Sequence, residues 1–555
     1  MYTIGVDFGT LSGRALLVDV RDGREVATAV CQYRHAVMDE RLPSGKGLPP
    51  EWALQHPQDY LDVLTETIPA ILQQSGVSPE EIVGIGIDFT ASSPMPTKAD
   101  GTPLCMLEGY ADEPHAYVKL WKHHAAQAQA DRINEVARQR GETWLNRYGG
   151  KYSSEWFFSK LLQILEEAPA VYAEIDVFIE GADWIIWQLT NVLTRNTCTA
   201  GYKMLVQDGT YPSEAYFEAL HPAFGKVIAE KVQGEFAPLA GKAGTLTPEW
   251  AQKLNLSPSV AVAIGIIDAH VTAPAVKATQ PGVMVMIMGT STCHIMSSDR
   301  MQEVDGMCGV VDGGIVDGLY GYEAGQSGVG DIFAWFVDHA VPTEYHEAAQ
   351  QAGMSLYQYL EHLARQQQVG EHGLIALDWW NGNRSTLVDA DLSGVLVGAT
   401  LATRAPDIYR ALIEATAYGT RTIIEAFESQ GVEVKELVAA GGLPDKNALL
   451  RQIYADVTGR TLRLGGSSQA AALGAAIHAA VAGGIYPNIN EAAQRMGKLK
   501  DEIVYPIPAN QAVYDQLYAE YKTLYDYFGR GENDVMKRLK KIRHRVKDEQ
   551  PDSQK

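Results

Sequence analysis

Two stretches of this chain set a Gly-Thr turn between apolar strands, a pattern suited to holding an anion. The first runs Ile4-Gly5-Val6-Asp7-Phe8-Gly9-Thr10-Leu11-Ser12-Gly13-Arg14. The second runs Val285-Met286-Ile287-Met288-Gly289-Thr290-Ser291-Thr292. Glycine has no Cβ, so backbone N–H groups there can approach phosphate oxygens closely. One such turn in each half of the chain suggests two jaws around a polyphosphate. Only the first carries a carboxylate, Asp7, where the second has Met288. Asp7 ends an apolar strand and can hold a hydrated Mg2+ while Gly9 to Ser12 face phosphate. The same residue would serve equally well to shape a β-turn.

A second acid ends the segment Ala263-Ile264-Gly265-Ile266-Ile267-Asp268-Ala269-His270. An Asp at an expected helix start is kept ionised by the helix dipole and by free N–H groups. Asp268 can then take the proton of a substrate hydroxyl as its oxygen attacks phosphorus, or act only as an N-cap. His270 reads as a packing or supporting residue, because no second His has metal-like spacing to it. Gly441-Gly442-Leu443-Pro444-Asp445-Lys446-Asn447 lies between a strand and a helix. It suits the flat face of a base, or a simple strand-to-helix turn. GxxxxGK[ST], a GxGxxG after a strand, HExxH and GxSxG are all absent, which removes the common nucleotide-loop, dinucleotide, metalloprotease and hydrolase readings.

These residues need a large scaffold. The chain has 555 residues, 46% hydrophobic and 21% charged, enough for roughly two to four domains. A net charge of -22 opposes nucleic-acid binding except at a local basic patch. Five scattered cysteines without CxxC indicate a reducing, cytoplasmic setting with no disulfide framework or zinc site. No signal peptide is visible at the N-terminus. The small-residue stretch 470–486 reads as a packed, buried helix and not a membrane span.

Strands are expected at 2–8, 14–20 and 83–88, and helices at 57–75, 115–140, 153–168 and 181–190. A strand pair over 192–203 would end at Lys203. A boundary is expected near 241–258, with Thr247 capping a short helix and a strand 260–266 running into the second half. There the hairpin at 283, a long helix 405–430 and a strand 437–440 follow. The alternation of strands and helices indicates an α/β fold, and the two hairpin-led halves suggest internal duplication. The basic run 537–547 reads as a terminal helix lying on the acidic body, or as a polyanion patch.

Together these segments resemble the FGGY carbohydrate kinase family over roughly residues 3–500. The match lies in Asp7-Phe8-Gly9-Thr10, Gly265-Ile266-Ile267-Asp268, Met288-Gly289-Thr290-Ser291 and Ala440-Gly441-Gly442 with Asn447. Within the family it is strongest to members acting on L-ribulose, through Asp88-Phe89-Thr90-Ala91-Ser92 and Asp378-Trp379-Trp380-Asn381-Gly382-Asn383-Arg384.

The resemblance implies a two-domain actin-like, hexokinase-like ATPase (ribonuclease H-like) fold with the site in the cleft. Its domains would be 1–258 (sugar), 259–500 (nucleotide) and a helical extension 501–555. It implies Asp268 as general base, Asp7 toward Mg2+, and ATP contacts from Gly9, Thr10, Ser12, Arg14, Gly289, Thr290, Gly441, Gly442 and Asn447. Sugar contacts would come from Ala91, Lys203, Asp268 and Glu323, although Lys203 and Glu323 alone read as surface charges. The expected partners are ATP and L-ribulose or a related ketopentose or pentitol, with a homodimer as the candidate assembly and neither nucleic acid nor membrane. An actin- or Hsp70-like ATPase switch is the reading from another class. One departure is His123 in Trp121-Lys122-His123-His124, where the family often carries an acid.

Overall fold

The computed structural model describes residues 1–548. Two seven-stranded sheets form its frame. In the first, Tyr2–Phe8, Ser12–Asp19 and Glu25–Gln32 form an antiparallel meander. Ile82–Phe89 then pairs parallel to Tyr2–Phe8, Ala261–Ala263 parallel to Ile82–Phe89, and Lys242–Thr245 closes that edge antiparallel. The second sheet repeats this order. Val283–Met288, Thr292–Ser298 and Tyr320–Gln326 form the meander, followed by parallel Glu436–Ala440 and Leu462–Gly465 and antiparallel Leu499–Val504. Gly309–Asp312 is its additional edge strand. The central strands are apolar almost throughout because helices cover both faces.

The helices follow local signals closely. Pro57–Ser75 starts with Pro57 at its first turn, is capped by the His56 ring accepting from Gln58 N–H, and stops at Gly76 with φ 66°. Pro248–Leu254 is capped by Thr247, whose side chain accepts from Trp250 N–H. Ala405–Ser429 and Ala448–Thr458 lie where periodicity places them. Among the described residues no helix is long and apolar enough to cross a membrane.

Three expectations change. Residues 117–126 are not helical: a single 3-10 turn, Pro114–Ala116, leads into Val118–Lys119, which pairs with Leu54–Gln55, and the α-helix is confined to Gln127–Arg140. Lys119 and His123 are fully buried there, so tertiary contacts override helix propensity. The expected strand pair over 192–203 is a short strand, Thr194–Asn196, and a helix, Thr197–Lys203. Asn196 caps this helix by accepting from Thr199 N–H at 2.7 Å, and buried Asp183 holds the Asn196 amide at 2.7 Å. That cap outweighs the β-branched Thr197 and Thr199. Finally, Ala261–Ala263 and Ile266–Ile267 pair with Ile82–Phe89 in the first sheet instead of leading the second half.

Helix Ala470–Ala482 falls between two strands of the second sheet in sequence yet lies on the first sheet, with Leu16, Val18, Val285, Val438, Ala472 and Ala476 in one shared core. Its backbone rests directly on sheet glycines. A Cβ on Gly5 would stand 1.8 Å from the Ala472 carbonyl oxygen, one on Gly86 1.9 Å from that of Ala475, and one on Gly84 2.5 Å from that of Ala479. The contact is backbone against backbone, so no side chain can rotate away. Gly86→Ala therefore destabilises the protein by about 1–3 kcal/mol through overpacking, seen as a lower thermal midpoint. Gly47→Ala, with open space around its Cβ, leaves the midpoint unchanged.

Candidate functional site

The parallel pairing of Tyr2–Phe8 with Ile82–Phe89 sets Ile4-Gly5-Val6-Asp7-Phe8 beside Ile85-Gly86-Ile87-Asp88-Phe89, residue against residue. The glycines accept the helix, the phenylalanines stack at 5.2 Å, and Asp7 and Asp88 end side by side. Ile266–Ile267 continues on the other edge of Ile82–Phe89, and Asp268 N–H donates to the Phe89 carbonyl at 3.0 Å. Three neighbouring strand ends thus each present an acid. Asp268 opens the turn before the short helix Thr272–Ala275 and accepts from Ala269 N–H at 2.7 Å. It follows directly on a strand of the first sheet.

Their protonation follows from crowding. Burial raises Asp7, against the pull of Arg14, whose Nε lies 3.3 Å away. Asp88 is fully buried, neither of its oxygens has a partner among ionised groups, and burial, then Asp7 and Asp268, hold it well above the usual carboxylate range. Two adjacent carboxylates can hydrogen-bond only if one keeps its proton. Burial, then the charge of Asp7, pushes Asp268 up to about 7.

A fourth acid is treated oppositely. Glu323 sits on Tyr320–Gln326 in the second sheet, and Lys203 is the last residue of Thr197–Lys203 in the first half. Lys203 Nζ is 3.2 Å from Glu323 Oε2, with the side chains 4% and 3% exposed. These are not surface charges. Arg384 Nη2 donates to Glu323 Oε1 at 2.6 Å, and His270 Nε2 lies 3.5 Å from Oε2. Burial alone would raise Glu323, but Lys203 and Arg384 bring it down to about 2. His270 is lowered to about 4 by burial and packs on Tyr202, ring centroids 4.5 Å apart, as a supporting residue.

The two Gly-Thr turns use their glycines differently from the simplest expectation. Gly9 N–H bonds the Ser12 carbonyl at 3.0 Å and Gly289 N–H the Ser291 carbonyl at 2.9 Å. Each glycine closes its own turn and supplies room for an anion, while donors for it must come from the following residues. Thr10 is anchored through Gln55 to its carbonyl at 2.7 Å and Trp121 to its hydroxyl at 3.1 Å. Gly441 has φ 97°, and a Cβ there would lie 2.4 Å from the Met288 carbonyl, whereas Gly442 faces open space. The third glycine segment therefore abuts the second turn. The Asn447 oxygen caps Ala448–Thr458, accepting from Leu450 N–H at 2.8 Å, and its amide meets Tyr409 at 3.3 Å. Its side chain thus shapes the helix start.

Ala91 lies just past the end of Ile82–Phe89, ahead of Ser92 with φ 56°. Buried Lys160 donates to the Ser92, Leu120 and Lys119 carbonyls at 2.6, 2.9 and 3.2 Å, fixing this strand end. His123 is structural: its Nδ1 accepts from Ala53 N–H at 3.3 Å, Nε2 meets Gln163 at 2.9 Å, and burial keeps it neutral. Among the described residues no cluster of three or more His, Cys, Asp or Glu could hold a metal. Asp7 keeps 18% of its side chain exposed beside the first Gly-Thr turn, so its carboxylate fits a hydrated Mg2+ shared with phosphate oxygens, while Asp88 lies fully buried behind it. Asp88 and Arg384 were not singled out as site residues from the sequence. The repeated Ile-Gly-apolar-Asp-Phe could have exposed Asp88, whereas Arg384 had no local signal of a role.

A ribulokinase of Mycolicibacterium smegmatis is 56% identical over 544 residues, covering 98% of this chain and 96% of that protein. A ribulokinase of Halalkalibacterium halodurans is 54% identical over 549 residues, covering 98% and 97%. The fold matches a xylulose kinase from Rhodospirillum rubrum, with TM-score 0.78 and 22% identity over 95% of this chain and 98% of that one. It also matches a Plasmodium falciparum glycerol kinase solved with ADP, with TM-score 0.74 and 14% identity over 94% and 97%. The models of the N-terminal and C-terminal domains of the FGGY family of carbohydrate kinases match residues 2–274 and 284–483, and the chain belongs to that family.

Proposed function

We propose that this carbohydrate kinase transfers the γ-phosphoryl group of ATP to L-ribulose, giving the 5-phosphate and ADP. The observation that carries the substrate is the near-full-length similarity to proteins named ribulokinase. The observation that carries the chemistry is the set of acids at neighbouring strand ends, facing Lys203 and Glu323. The two sheets mark the two domains, with the chain crossing from one to the other between Ile267 and Val283.

Lys203 donates to a sugar hydroxyl and Glu323 accepts from one, with the Ala91 strand end bounding the sugar. Asp268 takes the proton of the terminal hydroxyl while that oxygen forms its bond to the γ-phosphorus. The bond from that phosphorus to the β-phosphate bridging oxygen breaks, and ADP leaves with the electron pair. The turns at Gly9-Thr10-Ser12 and Gly289-Thr290 hold phosphate oxygens, with Arg14 at the first, and Gly441-Gly442 with Asn447 borders the adenosine. Mg2+ held through Asp7, when bound, neutralises phosphate charge. The protein otherwise contributes positioning and electrostatics.

Asp268→Asn lowers turnover by about 10²–10⁴-fold, the range of a general base, while binding of a non-hydrolysable ATP analogue persists. Near-normal turnover in a coupled ADP assay removes Asp268 from the proton transfer.

The pH dependence has a definite sign. Asp268 faces Asp7, Glu323 and Lys203 and sits at about 7, and a base acts only when deprotonated. The kcat/KM for sugar therefore falls about tenfold per pH unit below about 7 and levels off above it, with the limb lost in Asp268→Asn. A rate that stays level down to about pH 5 would contradict this assignment. Across a panel of ketopentoses and pentitols, L-ribulose gives the highest kcat/KM, and ADP release depends on the sugar.

A further inference from the structure

Arg384 ends the tryptophan-rich segment and reaches the site only through Glu323. Among the described residues its single hydrogen bond to protein is the 2.6 Å bond to Glu323 Oε1. Lys203 lies 3.5 Å from that oxygen and 3.2 Å from the other. Arg384 thus fixes one carboxylate oxygen and leaves the second turned toward Lys203. The path of its side chain is built in, because a Cβ on Gly325 would lie 3.0–3.2 Å from the Arg384 Cδ, Nε and Cζ. Ser385 ties the loop to the same strand, its hydroxyl accepting from Gly325 N–H at 3.2 Å.

The loop behind Arg384 is gripped from outside by the C-terminal extension. Tyr521 OH donates to Asp378 at 3.0 Å and Tyr525 OH meets Thr386 at 2.8 Å. Beyond them, helix Val535–Asp548 places Lys537 2.7 Å from Asp389 and Lys540 2.5 Å from Asp391. Asp389 and Asn383 exchange backbone hydrogen bonds at 2.9 Å in both directions, so the lysine contact lies one step from Arg384. These pairs are partly exposed, and each is weak alone. Two of them on one short loop act on its position more than on global stability.

We infer that Arg384 is a positioning residue for sugar recognition. It orients Glu323 against Lys203, and the basic C-terminal helix is the latch that holds the Arg384 loop in place. This rests on the reading of Glu323 and Lys203 as sugar contacts.

The test measures KM for L-ribulose and KM for ATP separately, with thermal midpoint as the folding control. Arg384→Ala removes a charged hydrogen bond and raises the sugar KM by about 10-fold or more, with ATP KM within about two-fold and the midpoint nearly unchanged. Arg384→Lys recovers part of the loss. Lys537→Glu with Lys540→Glu raises the sugar KM by a few-fold, and adding Asp389→Lys and Asp391→Lys restores it. Glu323→Gln separates the two layers. If it leaves the sugar KM unchanged, the sugar-contact reading fails. If it raises the sugar KM while folded Arg384→Ala and Arg384→Lys do not, the positioning role alone fails. A sugar KM indifferent to the charge reversal, or a rise the swap does not restore, overturns the latch.

Discussion

The site depends on one backbone-to-backbone contact, helix Ala470–Ala482 lying on Gly5, Gly84 and Gly86. With glycine on the sheet and small alanines on the helix, helix backbone and sheet backbone come together. The contacts run from Ala479 at Gly84 to Ala475 at Gly86, so helix and strand are antiparallel. The N-terminal end of the helix therefore lies toward the strand ends that carry Asp7 and Asp88. A helix from within the second half of the chain thus completes the core of the first sheet, and Val285 and Val438 share its cluster with Leu16 and Val18. The acids inherit their position from that packing.

From there the chemistry is a matter of dividing carboxylates by environment. Asp268 and Glu323 are both deeply buried, yet one is raised to about 7 and the other lowered to about 2. Burial acts in the same direction on both. The difference is company: Asp268 faces Asp7, whereas Glu323 faces Lys203 and Arg384. Pairs of acids pushed apart in this way carry different roles. On the proposed reading, the one near neutrality is the candidate for proton exchange, and the ionised one is the candidate hydrogen-bond acceptor.

Much of this was legible from local pattern. Asp7, Asp268 and both Gly-Thr turns announce themselves because strand ends and glycine turns are short-range features, and Pro57–Ser75 and Ala448–Thr458 carry their own caps. What escaped depends on distant partners. Lys203 reads as the end of a strand because Thr197 and Thr199 are β-branched, and only buried Asp183 holding Asn196 makes that segment helical. Residues 115–126 look like a continuation of a polar helix until His123 is seen bonded between Ala53 and Gln163. Asp88 ends an evident strand, but its role beside Asp7 is set by parallel register. Arg384 is invisible until Gly325 and Glu323, about 60 positions upstream, are brought under it.

The Lys203–Glu323 pair spans the two halves, and that has a consequence for selectivity. A buried ion pair gains little net stability, since desolvation offsets most of the attraction. Its presence at the junction is better explained by what it arranges. One member comes from a helix of the first half, where Gly201 lets Val311 of the second sheet approach, and the other from a strand of the second sheet. Neither half holds both, so any separation of the halves parts Lys203 from Glu323 together with the two Gly-Thr turns. A phosphoryl donor bound to one jaw alone then faces no oriented hydroxyl and no completed cage. Water is a competing acceptor for the same phosphoryl group, and an enzyme that assembles its site only when the jaws meet limits that loss. The asymmetry between the two hairpins follows the same logic. The first jaw carries Asp7, Asp88 and Asp268 at neighbouring strand ends, and the second sets the apolar Met288 where the first has Asp7.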